Sequence, residues 1–323
     1  MAEPFVNILS LFGIALLGLL VWAALAPFEA LGWWAGWFGD KIYQHELDIP
    51  PLVRPLPTEV DRYIVFLSGI SRVSGEPMSR REQNFLRELA SAMPNSVVID
   101  NIFPYSVNNL PLTGQPIFAK MWRWVLKRKL SSHWLERLAG YLINLRNMWQ
   151  VAMSIDKRYG PIYNQALAQV LIYTLVRHGY DLEKRRPVIL IGYSGAGQIA
   201  IGATTYLKEE LNAPIFVVSL GGIFGSDVGL LAADHVFHLY GTEDRPQRLS
   251  QVLFPGRWPF FFYSAWNRAV RLGRYTEICL GNVSHSGGTG YLTTSRRLAD
   301  GETHLSRTVG VIADLPYNQS VLG

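Results

Sequence analysis

The sequence predicts an α/β architecture with a doubly wound, mostly parallel sheet. Three observations carry that expectation. Six short apolar runs, at residues 63–67, 96–99, 187–191, 214–219, 235–240 and 275–280, read as buried strands. They alternate with helical patterns or long crossovers, as a parallel sheet requires. The third run then turns at once into Gly192-Tyr193-Ser194-Gly195-Ala196-Gly197, a serine flanked by glycines at the mouth of a helix.

The chain has 323 residues, 49% of them apolar, enough for one large core and for one or two domains. Its one cysteine, Cys279, excludes an internal disulfide. The net charge of +5 points to an anionic partner. The sequence contains no recognisable nucleic-acid-binding module, so an anionic membrane surface is the expected partner.

Residues 4–28 carry no charge, and 5–26 is long enough to span a bilayer as a helix. A signal peptide is the alternative. It would need a basic leading region, which is lacking, and Pro27 follows the candidate cleavage site Ala24-Leu25-Ala26. Residues 1–40 are therefore expected to be a retained single-pass anchor, closed by the interfacial aromatics Trp33, Trp34, Trp37 and Phe38. Lys41 and Arg54 on its C-terminal side lean toward a cytoplasmic catalytic domain. Pro50, Pro51, Pro55 and Pro57 stiffen a linker over 41–60. Residues 61–323 then form the globular domain. Within it, Ser79 and Glu82 make a capping box ahead of a helix with Phe85, Leu86, Leu89, Ala90 and Met93 on one face. Residues 104–160 interrupt the strand alternation as a helical insertion, and 163–178 is an apolar helix.

A buried strand that bends this sharply into a helix forces its turn residue into a strained backbone and lifts the side chain above the sheet edge. Strand and helix nearly touch there, so positions two before and two after must be small. Gly192 and Ala196 meet that demand. Two other readings fit the same residues. Ser194 is also an acceptable helix N-cap in an ordinary turn. Gly195-x-Gly197-x-x-Ala200 also matches a dinucleotide fingerprint, but the next strand ends in Leu220-Gly221-Gly222, without the carboxylate a ribose requires.

With its strand order and this elbow, the chain resembles the α/β-hydrolase superfamily, of the serine esterase and lipase type, over roughly residues 60–300. The second outer glycine of the elbow is Ala196 here, and the usual His-Gly after the first core strand is Ser68-Gly69. The resemblance implies nucleophile, acid and histidine in that chain order, each in a loop after a strand. Of seven histidines only His285 and His304 lie late enough. His285 sits in Asn282-Val283-Ser284-His285-Ser286-Gly287, just past the last strand, while His304 reads as solvated in a polar tail. The expected acid is Asp244 of Gly241-Thr242-Glu243-Asp244, with Glu243 and Asp227 as alternatives. The implied oxyanion donors are the backbone N–H groups of Ile70 and Gly195. No metal or cofactor is implied. The expected activity is that of a membrane-anchored serine hydrolase cleaving a carboxylic ester or thioester of an acyl lipid through an acyl-enzyme. Acyl transfer to an alcohol by the same triad, peptide cleavage, and a catalytically silent membrane scaffold are the competing expectations.

All ten tryptophans fall in three groups, at 22–37, 122–149 and 258–266. Between Lys120 and Arg146 they accompany seven basic residues and one acid, Glu136. Residues 104–160 and 254–268 are therefore expected to form a lid that overhangs Ser194 and touches the membrane. Packing of the same stripe on the domain's own core is the alternative.

Overall fold

The computed structural model describes residues 27–37, 59–71, 78–107 and 133–317, with isolated positions 10, 13, 57 and 109. Six strands form one sheet: β1 (Arg62–Leu67), β2 (Ser96–Ile99), β3 (Val188–Tyr193), β4 (Ile215–Leu220), β5 (His235–Tyr240) and β6 (Tyr275–Cys279). Their order is β2-β1-β3-β4-β5-β6, and every described pair is parallel. The inner parallel strands are buried on both faces, which is why they stand out in the sequence as largely apolar runs.

Alternate side chains sort into two cores. Val65, Leu67, Leu190 and Val217 face one side. Ile64, Phe66, Ile189 and Val218 face the other. The first side is covered by α1 (Pro27–Trp34), α3 (His133–Ile155), α4 (Gly160–Arg177), α5 (Ala196–Leu211), α6 (Gly229–Ala232) and α8 (Ala265–Arg271). The second is covered by α2 (Arg80–Ala92) and α9 (His304–Ala313). The expected capping box opens α2, with Ser79 Oγ accepting from Glu82 N at 3.3 Å and Glu82 Oε2 from Ser79 N at 3.1 Å. One further helix, α7 (Arg245–Leu253), follows β5.

The chain runs outward from β1 to β2, then returns across β1 to continue through β3 toward β6. In an open parallel sheet the usual ligand position lies at such a reversal, beyond the C-terminal ends of the two strands, here β1 and β3. The loop after β1 and the turn after β3 meet there.

Two expectations need correction. The sixth strand is not buried: most of β6 is exposed, Cys279 included, because among the described residues no strand pairs with its outer edge. His304 is not solvated. It opens α9, where its ring Nδ1 lies 3.2 Å and 3.3 Å from the carbonyls of Thr289 and Gly290, and it is buried. The described half of the 104–160 insertion packs on the domain's own core, the alternative expectation for this stripe. Ile143, Arg146, Asn147, Gln150, Val151 and Ser154 recur at helical spacing on the buried side of α3, which packs on α4 and α5. Ser154 Oγ donates to Asn164 Oδ1 of α4 at 2.7 Å. The rest of the insertion's basic stripe, 110–132, lies outside the described residues. So do 14–26 of the expected anchor and 41–56 of the linker. Among the described residues no helix is long and apolar enough to cross a membrane.

Candidate active site

Ser194 sits between β3 and α5 with a φ of +57°, in the left-handed region that a side chain rarely adopts. Hydrogen bonds on both flanks hold it there. Its N–H donates to Leu220 O at 3.0 Å, and its carbonyl accepts from Gly197 N at 3.0 Å and Ile223 N at 3.2 Å. The strand and helix do nearly touch: a Cβ on Gly192 would lie 2.6 Å from the Ala196 carbonyl oxygen and 2.7 Å from Gly197 Cα. The second close approach falls on Gly197, whose added Cβ would lie 3.0 Å from Ser219 Oγ and 3.1 Å from Gly222 Cα. Ala196 keeps its methyl in a buried position, so the departure from glycine is sterically neutral. Gly197 thus serves helix–strand packing.

The structure brings Ser194, His285 and Asp244 into one hydrogen-bonded chain. Ser194 Oγ lies 2.8 Å from His285 Nε2, and His285 Nδ1 lies 2.9 Å and 3.0 Å from the two carboxyl oxygens of Asp244. Asp244 is fully buried. A carboxylate offers only acceptors, so Nδ1 carries the imidazole proton and Nε2 is left to accept from the serine hydroxyl. Two more donors fix Asp244: Gln247 N at 3.0 Å and the Tyr291 hydroxyl at 2.5 Å. The Tyr291 oxygen in turn accepts from Gly241 N at 2.9 Å. Burial, and then the nearby Asp244 carboxyl, push the Tyr291 phenol far above its usual pKa, which keeps it a donor. On the histidine side, the Tyr193 hydroxyl donates to the His285 carbonyl at 2.5 Å. Its ring stacks on the imidazole with centroids 6.0 Å apart.

The alternative acids go elsewhere. Glu243 points to solvent. Asp227 accepts from Gln198 Nε2 at 3.1 Å and from Gly229 N at 2.8 Å, and burial raises its pKa. His238 lies under the site, 3.1 Å from Ser219 Oγ and 3.3 Å from Gln247 Oε1, and burial pushes its pKa down to about 4.

Ile70 and Gly195 come together beside the serine. A Cβ on Gly195 would lie 2.9 Å from Ile70 Cγ2 and 2.9 Å from Val151 Cγ2. One on Gly69 would lie 3.6 Å from Ser194 Cβ. Among the described residues, neither the Ile70 nor the Gly195 N–H meets a protein acceptor. No group of three or more His, Cys, Asp or Glu side chains among the described residues could hold a metal ion.

The aromatic stretch after α7 is divided between surface and core. Phe260 and Tyr263 are 80% and 92% exposed, and Trp258, Phe261 and Phe262 are exposed beside them. The backbone under them is pinned by Asn267 Nδ2, which donates to the carbonyls of Trp258 and Phe261 at 2.9 Å and 3.0 Å. Arg257 and Trp266, expected on the membrane-facing side, are instead buried. The guanidinium stacks 3.7 Å above the Trp266 ring and 4.9 Å from Phe224, with Glu277 Oε1 4.0 Å away. A desolvated cation finds there both a ring face and a carboxylate.

No protein-family model matches the chain, and no curated protein sequence matches it. Among solved structures, it is similar to a protein of Lactobacillus plantarum WCFS1 described provisionally as a cell surface hydrolase. The two are 11% identical, the match covers 79% of this chain and 91% of that one, and the TM-score is 0.34. A likeness that distant carries no argument about this chain.

Proposed function

We propose that this protein is a serine hydrolase of the α/β-hydrolase type that cleaves a carboxylic ester or thioester of an acyl lipid. The observation that carries this reading is the continuous relay from Ser194 Oγ through His285 to the buried carboxyl of Asp244. In the first half-reaction Ser194 Oγ attacks the carbonyl carbon and gives its proton to His285 Nε2. Asp244 holds the imidazolium through Nδ1–H. The oxygen that gains charge is met by the N–H groups of Ile70 and Gly195. His285 then returns the proton to the leaving alcohol or thiol, and an acyl-serine remains. Water, deprotonated by the same nitrogen, releases the acid. The steps call on no metal or cofactor. An alcohol in place of water would make the same acyl-enzyme an acyltransferase, which product analysis with an added alcohol distinguishes.

The lipid side of the proposal rests on two features: the uncharged stretch 4–28, read as a single-pass anchor, and the rigid exposed aromatics at 258–263. An anionic bilayer, on the cytoplasmic side, is the expected surface for a chain of net charge +5.

A fluorophosphonate probe is expected to label the full-length protein covalently, and Ser194→Ala to abolish labelling while the protein stays folded. Labelling that survives in the variant removes Ser194 from the mechanism. A wild-type protein that neither takes the probe nor hydrolyses a simple ester is a scaffold.

A further inference from the structure

The loop after β1 is Ser68-Gly69-Ile70-Ser71, and the N–H that faces the reacting oxygen in the proposed mechanism belongs to the peptide between Gly69 and Ile70. A glycine in such a loop leaves that peptide free to rotate unless its neighbours are held. Both neighbours are held. The Tyr105 hydroxyl donates to the Ser68 carbonyl at 2.9 Å, fixing the peptide before it. The Asn147 amide donates to the Ile70 carbonyl at 2.7 Å, fixing the peptide after it.

These two donors come from different parts of the chain, and one cation joins them. Arg146 Nη1 donates to the Tyr105 carbonyl and, at 3.1 Å, to Asn147 Oδ1. The second contact sets the sense of the Asn147 amide. With its oxygen turned to the guanidinium, its NH2 must face Ile70. The Arg146 side chain is 5% exposed. Burial pushes its pKa down, and Glu29 acts against that. Glu29 Oε2 lies 3.0 Å from Arg146 Nη2, and its other oxygen accepts from Ser106 Oγ at 2.5 Å. Glu29 belongs to α1, directly after the uncharged stretch, and Ala30 next to it is buried in the core under the same helix.

Resting on the serine-hydrolase reading, we propose that the Glu29–Arg146 pair, acting through Asn147 and Tyr105, holds the Ile70 N–H in register with Ser194 as an oxyanion donor. The helix at 27–34 is then part of the active site's frame as well as the root of the expected anchor. Asn147 and Tyr105 are positioning residues: neither needs to touch the substrate. Glu29 and Arg146 stand one step further back, as counter-charge and as orienter of the amide.

The test uses the full-length chain, with p-nitrophenyl acetate as substrate and a trifluoromethyl ketone as a tetrahedral-adduct inhibitor. Tyr105→Phe keeps the ring and loses the hydroxyl; Asn147→Asp keeps the shape and loses the donor. Each is expected to lower kcat about tenfold or more, short of the 10²–10³ that follows outright loss of an oxyanion donor. KM should stay within about twofold, and inhibitor affinity should fall in the same ratio as kcat/KM, because the lost interaction exists only in the tetrahedral state. Glu29→Gln is expected to shift the same parameters in the same direction. Thermal midpoints identify any variant that has merely unfolded, and Tyr105→Phe, the mildest change, is the arm expected to stay folded. Folded Tyr105→Phe and Asn147→Asp proteins with wild-type kcat and inhibitor affinity overturn the proposal and leave the serine-hydrolase reading intact. A wild-type protein inert to both substrate and fluorophosphonate overturns the reading, and this proposal with it.

Discussion

Tyr291 is the clearest case of a side chain whose importance comes from what it prevents. Asp244 lies fully buried with one oxygen turned to the Tyr291 hydroxyl; without that hydroxyl the oxygen would keep only the shared His285 Nδ1–H, and the buried Gly241 N–H would lose its acceptor. Such an orphan costs about 1–3 kcal/mol. Asp244 itself is the proposed orienting acid, and Asp227, held by Gln198 and Gly229, is not. Asp244→Asn is therefore expected to lower kcat by on the order of 10⁴, as when an imidazole is left in the wrong tautomer. Asp227→Asn should leave kcat within about twofold, since its partners are a side-chain amide and a turn N–H. Steady-state kinetics on one soluble ester decide it, and the reverse ranking would move the acid to the loop after β4.

Between elements, the junction of β4, β5 and α7 carries a pH sensitivity. His238 on β5 bridges Ser219 of β4 and Gln247 of α7. The charged groups that bear on it are Arg257, Glu277 and Asp244. Burial dominates and lowers its pKa from 6.5 to about 4. Above pH 6.5 the ring is neutral whether the chain is folded or not, and its contribution to stability is fully present. As pH falls toward 4 the unfolded chain takes up a proton that the folded one refuses, so stability is lost. The loss across that window amounts to about 3 kcal/mol. Thermal midpoints of the wild type between pH 7 and pH 4 should therefore fall more steeply than those of His238→Gln. Parallel curves would mean that His238 does not control this window. The same junction supports Asp244 through the Gln247 N–H, so loosening it reaches the site from below.

The molecule as a unit places Ser194 at the C-terminal end of the sheet and its exposed aromatics after α7, an element that leaves that end. Phe260, Phe261, Phe262 and Tyr263 stand on a backbone braced by Asn267, so they are held outward rather than collapsed onto the core. Burying one phenylalanine side chain is worth about 1.5–3 kcal/mol. Replacing Phe260 and Phe262 together by serine is expected to lower hydrolysis of an acyl ester presented in anionic vesicles by about tenfold or more, while p-nitrophenyl acetate turnover is unchanged. Equal loss on both substrates would place these residues at the site rather than at the lipid.

The sheet was legible because its inner strands are buried on both faces and so are mostly apolar, with Ser219, His235 and His238 as buried exceptions; the expected runs 96–99 and 235–240 coincide with β2 and β5. The elbow was legible because its geometry is local: a glycine at 192, a serine, then small residues. His285 and Asp244 could be picked out only through the chain order of a resembling family, since a lone aspartate and a lone histidine carry no spacing of their own. Apolar content did not distinguish the exposed edge strand β6 from the buried ones, because position in the sheet is not written in a strand's composition. Nor could tryptophan beside arginine say whether the side chain reaches the surface, as Trp258 does, or stacks in the core, as Arg257 on Trp266 does. Tyr291, Tyr193, Asn147 and the Glu29–Arg146 pair left no local signal at all. Glu29 and Arg146 are separated by 117 positions. Such partners are decided by how helices pack across a sheet, which local patterns of residues do not encode. Local chemistry in the sequence thus specified the strands, the cap and the strained serine, whereas the groups that hold the serine's neighbours in line exist only once the distant helices have docked.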